Sequence, residues 1–391
     1  MRERDSKPTM PRVLLVSPKV PPYGGMAVQA GIMERRMTED AVTIAFLAAN
    51  LPFPKRLHFL ERTRLIRPFL RSIFFSCELW KMLGRADVVH ILACSWLFFF
   101  LIVCPAVILS RIRGKRIILN YHGGEAAAFF RWYRLFIRPI FWMADVVTAP
   151  SQFLVDVISK QIGVPVQIVP NIASLAMFRY RERVPLRPRM LVTRHLLKLY
   201  DVESVLRAFG EVQRRYPEAS LRIVGTGDQE SRLRGLVSSW RLENVDFLGY
   251  VAHRDLPAVY DQCDILLNAS RADNFPGSLI EAAAAGLVVI STGVGGIPYI
   301  FEDGKTALLV KPGDWAGLAA GALRVIEDPD LALRLSREAF QECRRYDWTN
   351  VRRLLYRIYG FHDEFVKALD LKEDSAAAGC VGGRSRSSGA S

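Results

Sequence analysis

The chain has 391 residues, half of them hydrophobic, and a formal charge of +14 from 53 Lys/Arg against 39 Asp/Glu. That length predicts two domains of roughly 150–200 residues each, and the apolar share excludes a disordered chain or a small disulfide scaffold. The charge is uneven: residues 1–186 hold 26 Lys/Arg against 12 Asp/Glu, whereas residues 187–391 hold 27 of each. A basic first half points to a polyanion or an anionic membrane, although such surfaces also occur without a partner, and no nucleic-acid module is recognisable. Six cysteines (Cys77, Cys94, Cys104, Cys263, Cys343 and Cys380) show no CxxC or Cys/His spacing. Free thiols, a reducing compartment and no zinc site are expected. The first residues lack the apolar stretch and small-residue cleavage site of a secretory signal, which predicts a cytoplasmic protein.

After a flexible start at residues 1–10, residues 12–18 (RVLLVSP) read as a strand ending in a turn, Pro21-Pro22-Tyr23-Gly24-Gly25. A helical pattern follows over residues 26–37. Glycines in such a loop admit close ligand approach, and they serve a tight turn without a ligand equally well. Residues 52–86 interleave eight Lys/Arg with Phe, Leu, Ile and Trp and carry only Glu61 and Glu78 as acids. Such a stretch suits an anionic bilayer surface or an ordinary helix packed on a sheet. Residues 91–110 hold no charge over a length that could span a bilayer, but the strand-like VVHIL start and Pro105 favour a buried crossover helix.

Residues 116–124 (RIILNYHGG) form a strand that places His122 at its carboxyl end, where ligands bind in open α/β sheets. Glu125 either meets acceptor hydroxyls or begins the next helix. Residues 129–143 repeat the Arg/aromatic interleaving, and strands at 146–150 and 166–171 close a first domain, 11–171. A charged, Pro-bearing linker at 172–189 leads to a second strand-helix series over 190–347, with strands at 190–194, 221–228, 245–250 and 264–270. Residues 348–371 read as a terminal helix. The Gly/Ser/Ala-rich tail at 372–391 reads as disordered.

The most informative stretch is 270–300, SRADNFPGSLIEAAAAGLVVISTGVGGIPYI. Asp273 and Glu281 flank Asn274-Phe275-Pro276-Gly277-Ser278. Pro276 suits the first turn of a helix, which is expected to run to Gly286. Unpaired N–H groups at that start suit a phosphate, and a carboxylate further in can accept hydrogen bonds from sugar hydroxyls. Asp273 as a helix cap and Glu281 on a solvated face is the plainer alternative.

The Asp-x7-Glu pair, set between an apolar strand and the Gly293-Val294-Gly295-Gly296 turn, resembles the donor motif of retaining glycosyltransferases of family 4. That family more often has Glu where Asp273 stands. The resemblance covers roughly residues 11–368 and implies the GT-B fold, two facing Rossmann-like doubly wound parallel-sheet domains with a cleft between them, the terminal helix crossing back to the first. It implies transfer of a sugar from a nucleoside-diphosphate sugar to a hydroxyl, with retention and without metal or cofactor. It assigns the reacting sugar to His122 and Asp273, and the donor to Gly24, Gly25, Arg194, Asn274, Phe275, Pro276, Gly277, Ser278 and Glu281. Tyr23 and Glu125 fall on the acceptor side. Where the family has a lysine six residues after the arginine, this chain has Tyr200. Either Lys198 reaches the phosphates or Arg194 and the helix N-terminus share them. A glycan or lipid-linked acceptor, and peripheral contact of the basic first domain with the inner face of the cell membrane, complete the expectation. The rivals are a nucleotide-sugar epimerase on the same fold and a non-catalytic scaffold that binds membrane or polyanion.

Overall fold

The computed structural model describes residues 10–21, 24–53 and 66–371. Tyr23, residues 54–65 of the basic aromatic stretch, the start at 1–9 and the tail at 372–391 lie outside the described residues. The chain divides into two compact units. The first takes the described residues up to Pro150, then Val155–Ile172 and everything from Trp348; the second takes Ser151–Leu154 and Ala173–Asp347.

In the first unit the strands are β1 (Val13–Ser17), β2 (Ile44–Ala48), β3 (Val88–Ala93), β4 (Arg116–Tyr121), β5 (Val146–Ala149) and β6 (Gln167–Ile168). The helices are α1 (Gly25–Glu39), α2 (Arg67–Leu83), α3 (Cys104–Ile112), α4 (Ala126–Met143) and, mostly, α5 (Gln152–Ile162). All six strands are parallel in the order β2-β1-β3-β4-β5-β6. β1 and β3 are wholly buried and, but for Ser17 and His90, apolar on both faces, as helix-covered parallel strands tend to be. The order reverses between β1 and β3, the position at which a crevice opens at the strands' carboxyl ends.

The uncharged 91–110 stretch is β3, a π-helical turn (Phe99–Val103) and α3, with Pro105 tolerated in the first turn of α3. Among the described residues no helix is long and apolar enough to cross a membrane.

The second unit runs β7 (Arg189–Thr193), α6 (Val202–Arg215), β8 (Ser220–Val224), α7 (Glu230–Ser239), β9 (Val245–Gly249), α8 (Leu256–Asp261), β10 (Ile265–Asn268), α9 (Gly277–Ala284), β11 (Val288–Thr292), α10 (Ile297–Ile300), β12 (Leu308–Val310), α11 (Trp315–Glu327) and α12 (Pro329–Cys343). Its parallel sheet is ordered β12-β11-β10-β7-β8-β9, so the switch point lies between β7 and β10, which pair through Met190 and Ile265. Arg194 follows β7 and Asp273 follows β10.

The 172–189 stretch is not a loose charged connection, because from Ala173 it packs onto the second unit. Arg183 is 5% exposed and donates to the carbonyls of Tyr260, Asp261 and Ala285. Its neighbour Asp264, equally buried, takes a two-pronged bond from Arg189 at 2.7 and 2.9 Å. Three carbonyls and the Asp264 carboxylate thus meet the Arg183 charge that composition alone assigns to solvent. α13 (Trp348–Tyr359) belongs to the first unit, where Arg352 is buried against Asp40 and Asp370; the single helix expected over 348–371 breaks at Gly360, φ +86°, and helix resumes over residues 363–371.

Candidate active site

At the β7/β10 switch point the second unit holds a cleft of about 250 Å³ lined by, among others, Thr193, Arg194, Tyr200, Gly225, Ser278 and Glu281. Arg194 is fixed from three sides. Its Nε donates to Asn268 Oδ1 at 3.0 Å, its Nη2 lies 2.8 Å from Asp273 Oδ2, and its guanidinium stacks over Tyr200 at 5.3 Å. Asn268 is the hub, since the same Oδ1 accepts from Ser270 at 2.7 Å while its amide donates to Ser291 at 2.9 Å. The ends of β7, β10 and β11 are tied together through one side chain.

Asp273 and Arg194, assigned separately to sugar and diphosphate, are therefore one ion pair, each nearly buried at 11% and 12% side-chain exposure. The other Asp273 oxygen accepts from the Phe275 N–H at 3.2 Å and shapes the turn. The Gly-rich turn after β11 presses on this loop from behind: a Cβ on Gly295 would stand 2.1 Å from the Asp273 carbonyl, and one on Gly296 1.9 Å from that of Asn274. Phe275 packs edge-on against Tyr346 at 5.3 Å.

Pro276 occupies the N-cap position and not the first helical turn, because its ψ of 87° is non-helical; α9 begins at Gly277. The helix ends at Ala284 rather than Gly286, which adopts φ +80° and brings its Cα so near the linker that a Cβ would lie 2.4 Å from the Arg181 carbonyl. The first N–H groups of α9, those of Gly277 and Ser278, point away from intrahelical acceptors toward the helix start.

Glu281, one turn into α9, is held by two residues that the linear pattern does not reveal. Tyr260 OH donates to Glu281 Oε2 at 3.0 Å and lies 3.0 Å from Thr193 Oγ1; His253 Nε2 lies 3.0 Å from Glu281 Oε1. Burial, reinforced by the carboxylate's charge, holds the Tyr260 phenol well above its usual range, so it stays a donor. Phe178 packs edge-on against both rings. No spacing links residues 178, 253, 260 and 281; side-chain contacts on Tyr260, His253 and Glu281 do. His195, beside Arg194 in the same cleft, also went unread. Lys198 stands elsewhere: it is exposed and lines a separate cleft with Glu203, Gln229 and Arg232.

In the first unit His122 follows β4, its N–H donating to the Ala93 carbonyl at 2.8 Å. Its ring is enclosed, and that burial pushes the imidazole down to about 4; His90, behind it on β3, falls to about 3 for the same reason and donates or accepts with Tyr359 OH at 2.6 Å. His122 is thus neutral at pH 7. Gly24 caps α1 and, like Gly25, has open space where a Cβ would sit. Glu125 caps α4 and accepts from Trp96 Nε1 at 2.5 Å. Among the described residues no three His, Cys, Asp or Glu side chains cluster as metal ligands, and the five described cysteines are free.

Two Rossmann-like units, each a doubly wound parallel sheet, have the GT-B fold. Sequence comparison narrows the class. The family of group 1 glycosyl transferases matches residues 181–342 and glycosyltransferase family 4 matches residues 23–177. The chain belongs to the family 4, group 1 glycosyltransferases.

It is 27% identical over 293 residues to a glycogen synthase of Mycobacterium tuberculosis, covering 70% of this chain and 69% of that one. It is 30% identical over 202 residues to a phosphatidyl-myo-inositol mannosyltransferase of the same species, covering 49% and 53%. Among solved structures it resembles Anabaena HepE in complex with UDP (TM-score 0.68, 16% identical, 88% and 98% covered). It also resembles a sucrose-phosphate synthase from Thermosynechococcus elongatus (0.71, 18%, 89% and 98%). At such identities these structures speak to fold alone.

Proposed function

We propose that this glycosyltransferase moves a sugar from a nucleoside-diphosphate sugar to a hydroxyl of a lipid-linked or cell-surface glycan, with retention at the anomeric carbon. The observation that carries the reading is the Glu281 carboxylate, clamped by Tyr260 and His253 in the same cleft as Arg194. A carboxylate fixed on both oxygens keeps lone pairs aimed at vicinal hydroxyls, and a ribose supplies them. Arg194 and the α9 N-terminus meet the charge of the leaving diphosphate, with no metal required. Tyr200, stacked on Arg194, occupies the position of the family's lysine and orients the single cation.

Asp273 holds Arg194 in the free protein and turns to the sugar hydroxyls once the diphosphate takes over that cation. His122, neutral, is suited to hydrogen-bond a sugar hydroxyl rather than to repel or bind charge. Retention follows from the family resemblance. UDP in the HepE complex supports a nucleoside-diphosphate donor, and the phosphatidylinositol acceptor in a relative's name supports a lipid-linked one. The basic first unit suits peripheral work on the inner membrane face.

Thermal stabilisation by a panel of UDP-, GDP- and ADP-sugars tests the reading. One nucleotide should raise the melting temperature, with chelator present, and Glu281→Ala should abolish the shift. A shift that survives Glu281→Ala, or one that requires divalent metal, would sink the assignment.

A further inference from the structure

α4 carries two apolar stripes where a helix packed on a sheet needs one. Phe129, Phe130, Ile137, Ile140 and Phe141 are buried. On the outer side Trp132, Leu135, Phe136 and Trp142 are 60–77% exposed, at helical spacing along one line that also holds Pro139. Arg131, Arg134 and Arg138, at i, i+3 and i+7, edge that outer stripe, and α4 contains no acid. Guanidinium groups lie over its two terminal indoles, Arg138 over Trp142 at 4.6 Å and Arg131 over Trp132 at 5.9 Å.

The pattern continues across the layer. α3, packed between α4 and α2, exposes Ile112, and α2 exposes Phe69, Ile73 and Trp80, the last under the Arg113 guanidinium at 3.8 Å. The single acid on these three helices, Glu78, is paired with Lys81 at 2.7 Å. An exposed apolar surface of this extent marks a contact site.

We propose that the outer face of α4, extended by α3 and α2, seats the first unit on an anionic phospholipid bilayer. The proposal deepens the membrane contact of the reading above and rests on it for the acceptor's identity. Charge decides the occupant. A second copy of the chain would set arginine against arginine, whereas a phosphate layer neutralises an unbroken positive face. Indoles at both ends of the stripe suit the headgroup level, with Leu135 and Phe136 below it and the arginine heads reaching phosphate above their apolar stems.

The stripe also leads toward the acceptor side. Trp96, 38% exposed and just after β3, packs edge-on against Phe129 and Tyr133 of α4 while donating to Glu125. A headgroup-linked acceptor would arrive at Glu125 along the membrane-facing edge of the unit.

The test uses the full chain with sedimented vesicles of phosphatidylcholine alone or mixed equally with phosphatidylglycerol, at low and high salt. Partition should favour the anionic vesicles by about tenfold or more at low salt and fall with added salt. Phe136→Asp and, separately, Arg131→Glu with Arg138→Glu should each lower it by about tenfold. These positions are exposed, so melting temperature and the donor-induced shift stay unchanged, and Trp emission should move to the blue on binding only in the wild type.

Equal partition of wild type and variants overturns the proposal. So does a concentration-dependent dimer that Phe136→Asp dissolves with no effect on vesicle binding. Vesicle binding that follows the prediction while no nucleotide sugar stabilises the protein would support the docking face and overturn the donor reading alone.

Discussion

At the strand ends of their sheets the two units hold polar groups in different ways, although the first also buries an ion pair, Arg352 with Asp40 and Asp370, on α13. In the second, charge meets charge: Arg194 with Asp273, Arg183 and Arg189 with Asp264, and Glu281 under a phenol and an imidazole. In the first unit's sheet the enclosed titratable groups, His90 and His122, are neutral, and the apolar excess is carried outward on α4. On the proposed reading, the Arg194–Asp273 pair would exchange its carboxylate for a phosphate. Neutral imidazoles make a strand end that hydrogen-bonds without repelling an uncharged sugar.

Removing one member of a pair should therefore cost the second unit most. Arg194→Ala strands the Asp273 Oδ2 and takes from the Asn268 oxygen one of its two donors, and chemical denaturation should show a loss of about 3–4 kcal/mol. Adding Asp273→Ala should restore part of it; strict additivity would break the paired-charge account.

Gly296→Ala comes next, at about 2–3 kcal/mol, because its Cβ has backbone and not a yielding side chain in its way. Tyr260→Phe should cost about 2 kcal/mol and weaken nucleotide-sugar binding by roughly tenfold, read by calorimetry, since the Glu281 carboxylate loses a charge-assisted bond.

The smallest effect at neutral pH belongs to the histidines. Their folded pKa values are depressed to about 4 and about 3 from an ordinary 6.5. The stability tied to their neutral form is complete above pH 6.5 and is lost as pH falls through about 4. His122→Asn should flatten the decline of melting temperature between pH 6.5 and 4 and leave it unchanged at pH 8. An NMR titration midpoint for His122 near 6.5 would remove the contrast between the units.

Much of this was legible in the linear pattern, because alternating apolar runs and amphipathic segments report directly on local backbone burial. The strand ends bearing His122 and Arg194, and the Asp273 to Glu281 loop, follow from that periodicity. What remained hidden is cross-chain. Tyr260 of α8 and His253 of the turn before it reach Glu281 of α9 only in the folded unit, and Asn268 reads as one more strand residue until β7 and β11 flank it. Arg183 is read as a surface charge because composition does not show which carbonyls a helix C-terminus leaves open. Lys198 is the converse case, near Tyr200 in sequence while lining a different cleft.

The contact of Gly295 and Gly296 with the carbonyls of residues 273 and 274 has a practical bearing on engineering. On the proposed reading, a graft meant to change donor preference would take 273–278. The backbone of that loop is seated on a turn that α9 and β11 separate from it in sequence, where a Cβ would collide with the loop's carbonyls. A chimaera that carries 273–278 without 293–296 inherits the chemistry and loses the mould; the two segments are one transferable cassette.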